Sequence, residues 1–243
     1  DSEYGPAKNY CDEYFFCNYN DEVKLKEFAK KIDVATLEFE NISFKVLKQI
    51  EKFVPLHPRP EVNRIVQNRE LEKNFFRNLK IPTTKFAIIN NVNDIKNNLN
   101  LLPGILKSIT GGYDGHFSYK INEFKDLEKN IIDFNKKFIL EKKVNILKEI
   151  SMIGTRYQSG EINFFQPFEN IHKDQILRET IAPAELPDKI LNQAKEYTKK
   201  ILEKHNYIGT MAVEFFIDKS MNLLANETAS RVHNSGHITI NNS

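Results

Sequence analysis

The 243-residue sequence has no apolar run near the roughly 20 residues that a transmembrane helix requires. Its first ten residues, DSEYGPAKNY, offer neither the basic n-region nor the apolar h-region of a secretory signal. A cytoplasmic protein without membrane contact is expected. Tryptophan is absent and cysteine is limited to Cys11 and Cys17, with no histidine or further cysteine beside them. These thiols are expected to be reduced and buried, not redox-active or metal-binding. An excess of either charge is missing too: 35 Lys+Arg stand against 33 Asp+Glu, a formal net charge of +2. Because the charges are interspersed, no basic stripe exists to neutralise a nucleic-acid backbone, and nucleic acid is not an expected partner.

Several motifs are also missing. There is no G-x-S-x-G elbow and no cysteine in a catalytic setting, so covalent hydrolase chemistry has no support, and neither P-loop spacing nor a dinucleotide fingerprint appears. None of the six histidines belongs to a zinc-protease pattern. His233 and His237 lack a third ligand of obvious type, and His57 and His205 are expected at the surface. No repeat of 20–50 residues appears, which excludes solenoids and propellers. What is present is 40% hydrophobic and 28% charged, enough for a core without disulfide or metal staples.

Apolar spacing predicts a helix over 21–32 capped by Asp21, a strand over 33–39 and a helix over 43–53. This β/α alternation is that of a doubly wound parallel sheet. Residues 54–60 hold three prolines and predict a domain boundary. Beyond it, 61–79 reads as one long charged helix. Strands are expected over 85–90, 104–108, 117–121, 137–141, 146–157, 162–168 and 176–181, then a helix over 189–205. A hairpin of 208–218 and 221–228 follows. The chain starts at Asp1 and stops at Ser243 just after an apolar stretch, which predicts a fragment of a longer protein.

Glu214 interrupts the apolar run Met211-Ala212-Val213-Glu214-Phe215-Phe216-Ile217. Burying that charge costs several kcal/mol unless a cation or donors meet it. With an even-numbered loop, Glu214 falls opposite Ala225, and Glu227 becomes its diagonal neighbour on the same face. Two such carboxylates suit Mg²⁺, with Asn226 or nucleotide phosphates completing the coordination; the alternative is pairing of each with a surface cation. Residues 106–115 join a lysine-bearing strand to a loop with three glycines, able to cradle phosphate or simply to turn a hairpin.

Thr110-Gly111-Gly112-Tyr113-Asp114-Gly115 and Arg231-Val232-His233-Asn234-Ser235-Gly236-His237 complete the pattern. Between them, in order, stand Glu141, Glu149-Ile150-Ser151, the segment 166–178 and 211–216. Together these residues resemble the 5-(carboxyamino)imidazole ribonucleotide synthase family of ATP-grasp enzymes, and the likeness covers essentially the whole chain. The resemblance implies an α+β (ATP-grasp) fold. A partial N-terminal β/α doubly wound domain (1–56) would precede an ATP-grasp domain of two lobes (57–243, smaller lobe about 80–145), with the small C-terminal domain missing.

It also implies the activity: ATP- and bicarbonate-dependent carboxylation of the exocyclic amine of 5-aminoimidazole ribonucleotide, through carboxyphosphate, in purine biosynthesis. By resemblance, Arg69 and Lys107 contact ATP phosphates, and Gly112, Tyr113, Asp114, Gly115, His116, Phe117 and Ser118 close over them. Glu141, Lys142, Lys143 and Val144 form the adenine hinge, Glu149 holds the ribose, and His172 approaches the nucleotide. Glu214 and Glu227 carry Mg²⁺ (or Mn²⁺) beside Asn226. Tyr113, Asp114, Arg231, His233, Asn234 and Ser235 line the ribonucleotide site, with Asp114, Arg231 and His233 catalytic. The implied partners are ATP, bicarbonate, the ribonucleotide and a second subunit of a homodimer. His116-Phe117-Ser118 depart from the family's usual basic residue, Gly and Gln, and Ala229-Ser230 from its Ala-Pro. Two other readings are a different ATP-grasp ligase, such as a biotin carboxylase or glycinamide ribonucleotide synthetase, and a catalytically silent nucleotide-binding relative.

Overall fold

The computed structural model describes residues 5–111, 118–129, 132–173 and 176–240. Near the N-terminus, α1 (Glu22–Ala29) begins at the expected cap, where the Asp21 carboxylate accepts from the Lys24 backbone N–H. Of the strand expected over 33–39, only β1 (Ala35–Thr36) is paired. After α2 (Phe44–Ile50), capped by Ser43, comes β2 (Leu56–His57), which lies parallel to β1 and so straddles the expected 56/57 boundary. Leu25, Val46, Leu47 and Leu56 form the core of this unit.

The long helix expected over 61–79 is two helices, α3 (Pro60–Val66) and α4 (Arg69–Asn78). The break is local chemistry: the Asn68 side chain accepts from the Leu71 N–H and starts a new helix. The Gln67 side chain meanwhile turns away to the carbonyls of Glu40 and Ile42.

The smaller lobe contains β3 (Phe86–Ile89), α5 (Val92–Lys96), β4 (Gly104–Ser108), β5 (Ser118–Ile121) and β6 (Phe138–Lys142), with sheet order β3-β6-β4-β5. The larger lobe contains β7 (Ile146–Arg156), β8 (Ile162–Phe164), β9 (Phe168–Lys173) and β10 (Ile176–Ile181). The strand expected over 162–168 is therefore divided, because Pro167 lacks the N–H to continue a ladder. Next come α6 (Asp188–Lys204), β11 (Gly209–Asp218) and β12 (Leu223–Ala229), completing the sheet order β10-β9-β7-β11-β12 with β8 on β7.

Alternation along β11 decides where the chemistry sits. Met211, Val213, Phe215 and Ile217 share a core with Ile190, Ala194, Ile201 and Leu202 of α6. Successive side chains of a strand point to opposite faces, so Ala212 and Glu214 belong to the face away from α6. No helix among the described residues is long and apolar enough to cross a membrane.

Two minor expectations are corrected. Cys11 is exposed and Cys17 half-buried, both as free thiols, because the aromatic segment around them lies on the surface. His205 is not a free surface group: its ring stacks on Phe75 at 4.2 Å, and burial lowers its pKa to about 4.

Candidate active site

The hairpin carries the first surprise. Glu214 pairs directly with Glu227, not with Ala225, for two reasons: the turn holds three residues and not an even number, with Asp218 N–H bonding Asn222 O, so Phe215 pairs with Ala225, and the register then shifts by one more residue between Phe215 and Glu214. A β-bulge adds Asn226 to β12; without it Glu214 would face Asn226 and Glu227 would fall on the other face of the sheet, whereas with it the two carboxylates stand opposite one another. The bulge is held from outside. Lys73 of α4, 1% exposed, donates from Nζ to Asn226 O at 2.8 Å and to Thr83 Oγ1 at 3.0 Å. Thr83 Oγ1 in turn donates to Ala225 O at 2.7 Å.

Glu214 is 8% exposed. Burial, and then the neighbouring Glu227, raise its pKa to about 8. His233 Nε2 lies 3.2 Å from Glu214 Oε1, yet burial holds that imidazole neutral with a pKa near 4. The backbone N–H of Ser235 donates to His233 Nδ1, which places the proton of the neutral ring on Nε2, toward Glu214. Behind His233, Ser235 Oγ is 2.7 Å from Ser151 Oγ. The next residue, Gly236, lies against the tip of Ile153, whose Cδ1 would stand 2.9 Å from a Cβ at that position.

Arg69, Gly111, His172, Glu214, Glu227, Arg231, His233 and Asn234 line one cavity of about 250 Å³. Arg69 opens α4 and donates from Nη1 to Ser108 O at 2.9 Å, next to Lys107. Lys107 Nζ is 3.1 Å from Glu141 Oε2, and Lys73 Nζ is 3.9 Å from Glu141 Oε1. Burial alone would raise the Glu141 pKa; the two ammoniums outweigh it and bring it down to about 2. Ser118 pairs with Lys107 across the ladder and has a buried Oγ without a hydrogen-bond partner among the described residues. Glu149 Oε2 lies 2.9 Å from His172 Nδ1, off the line of a hydrogen bond, and this contact raises the histidine's pKa against burial. Lys142, Lys143 and Val144 are not brought into the cavity wall, and Lys142 Nζ reaches Asn100 O instead. Gly112, Tyr113, Asp114, Gly115, His116 and Phe117 lie outside the described residues.

Three wall or near-wall residues escaped the sequence reading. Glu40 lies 3.4 Å from Arg231 Nε, and burial raises its pKa although Arg231 opposes the shift. Its position just past the carboxyl end of parallel β1 is where ligands collect in such sheets, a signal the sequence contained. Glu72 and Lys73 are charged residues on a buried helix face, four and three positions before Phe76, the same anomaly that singled out Glu214.

Residues 74–243 match the model of the ATP-grasp domain, and 1–67 match the ribonucleotide synthetase preATP-grasp domain. The chain belongs to the ATP-grasp family. Its ATP-grasp fold follows an N-terminal preATP-grasp domain. The chain is 37% identical over 238 residues to an N5-carboxyaminoimidazole ribonucleotide synthase of Staphylococcus aureus, covering 97% of this chain and 63% of the relative. The Staphylococcus aureus N5-carboxyaminoimidazole synthetase complexed with ADP superposes with a TM-score of 0.93 at 37% identity, over 99% of this chain and 65% of that one. An Aspergillus clavatus N5-carboxyaminoimidazole synthase in complex with ADP and 5-aminoimidazole ribonucleotide gives 0.87 at 25% identity, over 99% and 64%. The chain thus spans about two thirds or less of the length of these relatives.

Within this ATP-grasp site a divalent cation can be tested against the residues present. Among the described residues, no group of three or more His, Cys, Asp or Glu forms a cage for a metal ion. The donors are instead two carboxylates opposite one another at a cavity, one of them lifted to about 8 by burial and by the charge of the other. That set fits a hard cation taking its remaining oxygens from phosphate and water.

The raised carboxyls give a pH prediction. Glu214 and Glu72 both move from 4.5 to about 8, so each favours folding at low pH and loses that contribution as pH rises toward 8. His233 and His205 move from 6.5 to about 4 and act in the opposite sense, but only below 6.5. Without metal or nucleotide, the melting temperature is expected to fall from about pH 6.5 to pH 8, with a shallower fall in Glu214→Gln. Thermal unfolding by circular dichroism checks this; an identical slope in the variant contradicts the raised Glu214.

Proposed function

We propose that the protein, in its full length, carboxylates the exocyclic amine of 5-aminoimidazole ribonucleotide using ATP and bicarbonate. The observation that carries this reading is one cavity whose wall includes Arg69, the opposed pair Glu214 and Glu227, and Arg231-His233-Asn234. Those residues meet the needs of phosphoryl transfer, which are positioning and charge neutralisation without a covalent nucleophile. The relatives named for this product, two of them solved with ADP, support the substrate assignment.

In the proposed reaction a bicarbonate oxygen attacks the γ-phosphorus of ATP, the bond to the β–γ bridging oxygen breaks, and ADP leaves. The resulting carboxyphosphate gives CO₂ and phosphate, and the ribonucleotide amine attacks the CO₂ carbon and loses a proton. Arg69 and Lys107 would hold the phosphates, with Glu141 fixing the Lys107 ammonium. Glu149 and His172 would take the ribose and phosphate side of the nucleotide, and Glu141 to Val144 would border the adenine. Arg231, His233, Asn234 and Ser235, with Tyr113 and Asp114, would form the ribonucleotide side. Glu214 and Glu227, with Asn226 beside them, would hold Mg²⁺ (or Mn²⁺). When bound, that ion would neutralise charge developing on the phosphate oxygens. Neutral His233, with Nε2–H toward Glu214, would keep the carboxylate aimed at the cavity. A homodimer in the cytoplasm completes the proposal.

The test is ADP release by the full-length protein with Mg²⁺-ATP and bicarbonate. Stimulation by 5-aminoimidazole ribonucleotide is the expected outcome. Stimulation only by another acceptor, or by none, sinks the assignment.

A further inference from the structure

Glu72 is 2% exposed, yet it borders the cavity. It lies in the first turn of α4, where its own N–H bonds Asn68 O. Its carboxylate oxygen Oε1 accepts twice from Thr228: from the backbone N–H at 2.7 Å and from the hydroxyl at 2.5 Å. On the other side of Glu227, the next helix residue, Lys73, donates to Asn226 O at 2.8 Å. Consecutive residues of α4 therefore grip the chain immediately before and after Glu227.

That grip falls where the ladder is interrupted. A bulge leaves its extra residue, here Asn226, unpaired, so Glu227 is the last residue in register with β11 before the break and has no regular pairing on the Asn226 side. The same helix begins at Arg69, whose backbone N–H reaches Ile109 O at 3.0 Å and whose guanidinium reaches Ser108 O. One rigid element thus ties the strand bearing Lys107 to the strand bearing Glu227.

We propose that Glu72 is a positioning residue that, through its two bonds from Thr228, holds Glu227 opposite Glu214 in the orientation a divalent cation requires. The inference rests on the metal reading above. Glu72 acts through Thr228, to which its Oε1 is committed.

The test uses the full-length protein and titration calorimetry of ADP with and without Mg²⁺, reading the gain in affinity that Mg²⁺ confers. Outer-shell partners of a metal site are worth roughly 10–100-fold in metal affinity, so Glu72→Leu is expected to cut the Mg²⁺ gain at least about tenfold. Metal-free ADP affinity should stay within about threefold, a split that general loss of structure would not give. Glu72→Gln keeps the acceptor oxygen and should restore the gain. Thr228→Val removes one of the two bonds and should lower the gain less, which carries the test if Glu72→Leu does not fold. An unchanged gain in Glu72→Leu or Thr228→Val, or equal damage from Glu72→Gln, overturns the proposal. Glu227→Gln serves as the reference: if it loses the gain while the Glu72 and Thr228 variants keep it, positioning alone fails. If Glu227→Gln keeps the gain, the metal reading falls and the proposal with it.

Discussion

Glu227→Gln is expected to lower the rate of ADP release by at least about a hundredfold, the scale seen when one charge-stabilising group is removed from a reacting centre. The substitution keeps shape and hydrogen-bonding reach but removes the formal charge that a hard cation prefers. Glu227 faces the cavity directly opposite Glu214. Glu214 would then hold its proton less tightly, since one source of its raised pKa is the charge of Glu227. Steady-state ADP release at saturating Mg²⁺-ATP checks the prediction. Turnover within about threefold of the parent would contradict the metal assignment.

The second large effect is on folding. Lys73→Met is expected to destabilise the protein by about 3–5 kcal/mol, the usual result of removing one partner from a buried charged cluster. The methionine can fill the space but cannot donate, so Thr83 Oγ1 and Asn226 O lose a buried donor. Glu141 keeps only one of its two ammoniums, Lys107, which lowers the return on its own burial. For a protein of this size the melting temperature should fall by roughly 6–20 °C. Calorimetry decides it: a loss under about 1 kcal/mol would mean that Lys73 is not the support of the bulge.

Much of this architecture was legible in the sequence, and the failures share a cause. The strands at 104–108, 146–157 and 176–181 and the helix at 189–205 were readable because apolar period and length agree there. The helix break at Asn68 was not, since it depends on one side chain capping a helix that apolar spacing alone would continue. The Glu214 register was missed for a related reason: counting along two strands assumes an even-numbered turn and a regular ladder, whereas the turn holds three residues and the bulge at Asn226 is bonded by Lys73, more than 150 residues earlier in the chain.

The site divides in the same way. Glu214 stood out as a charge interrupting an apolar strand, Glu227 by its place on the facing strand, and Arg231, His233 and Asn234 by the resemblance, and the fold brings these five to one cavity. Glu40 stood between the segments read as strand and helix, and Glu72 and Lys73 in one read only as helix. Their roles arise from contacts with residues far along the chain, which spacing along one segment does not express. Lys107 and Glu141 were read as separate nucleotide contacts, whereas the structure joins them in one ion pair.

The most direct measurement of the central claim supplies bicarbonate labelled with both ¹³C and ¹⁸O, together with ATP, Mg²⁺ and 5-aminoimidazole ribonucleotide, and analyses the products by mass spectrometry and NMR. Transfer through carboxyphosphate places ¹³C on the exocyclic nitrogen of the ribonucleotide and one ¹⁸O in the inorganic phosphate. Phosphate free of label, or ADP formed with no ¹³C in the ribonucleotide, would contradict the account.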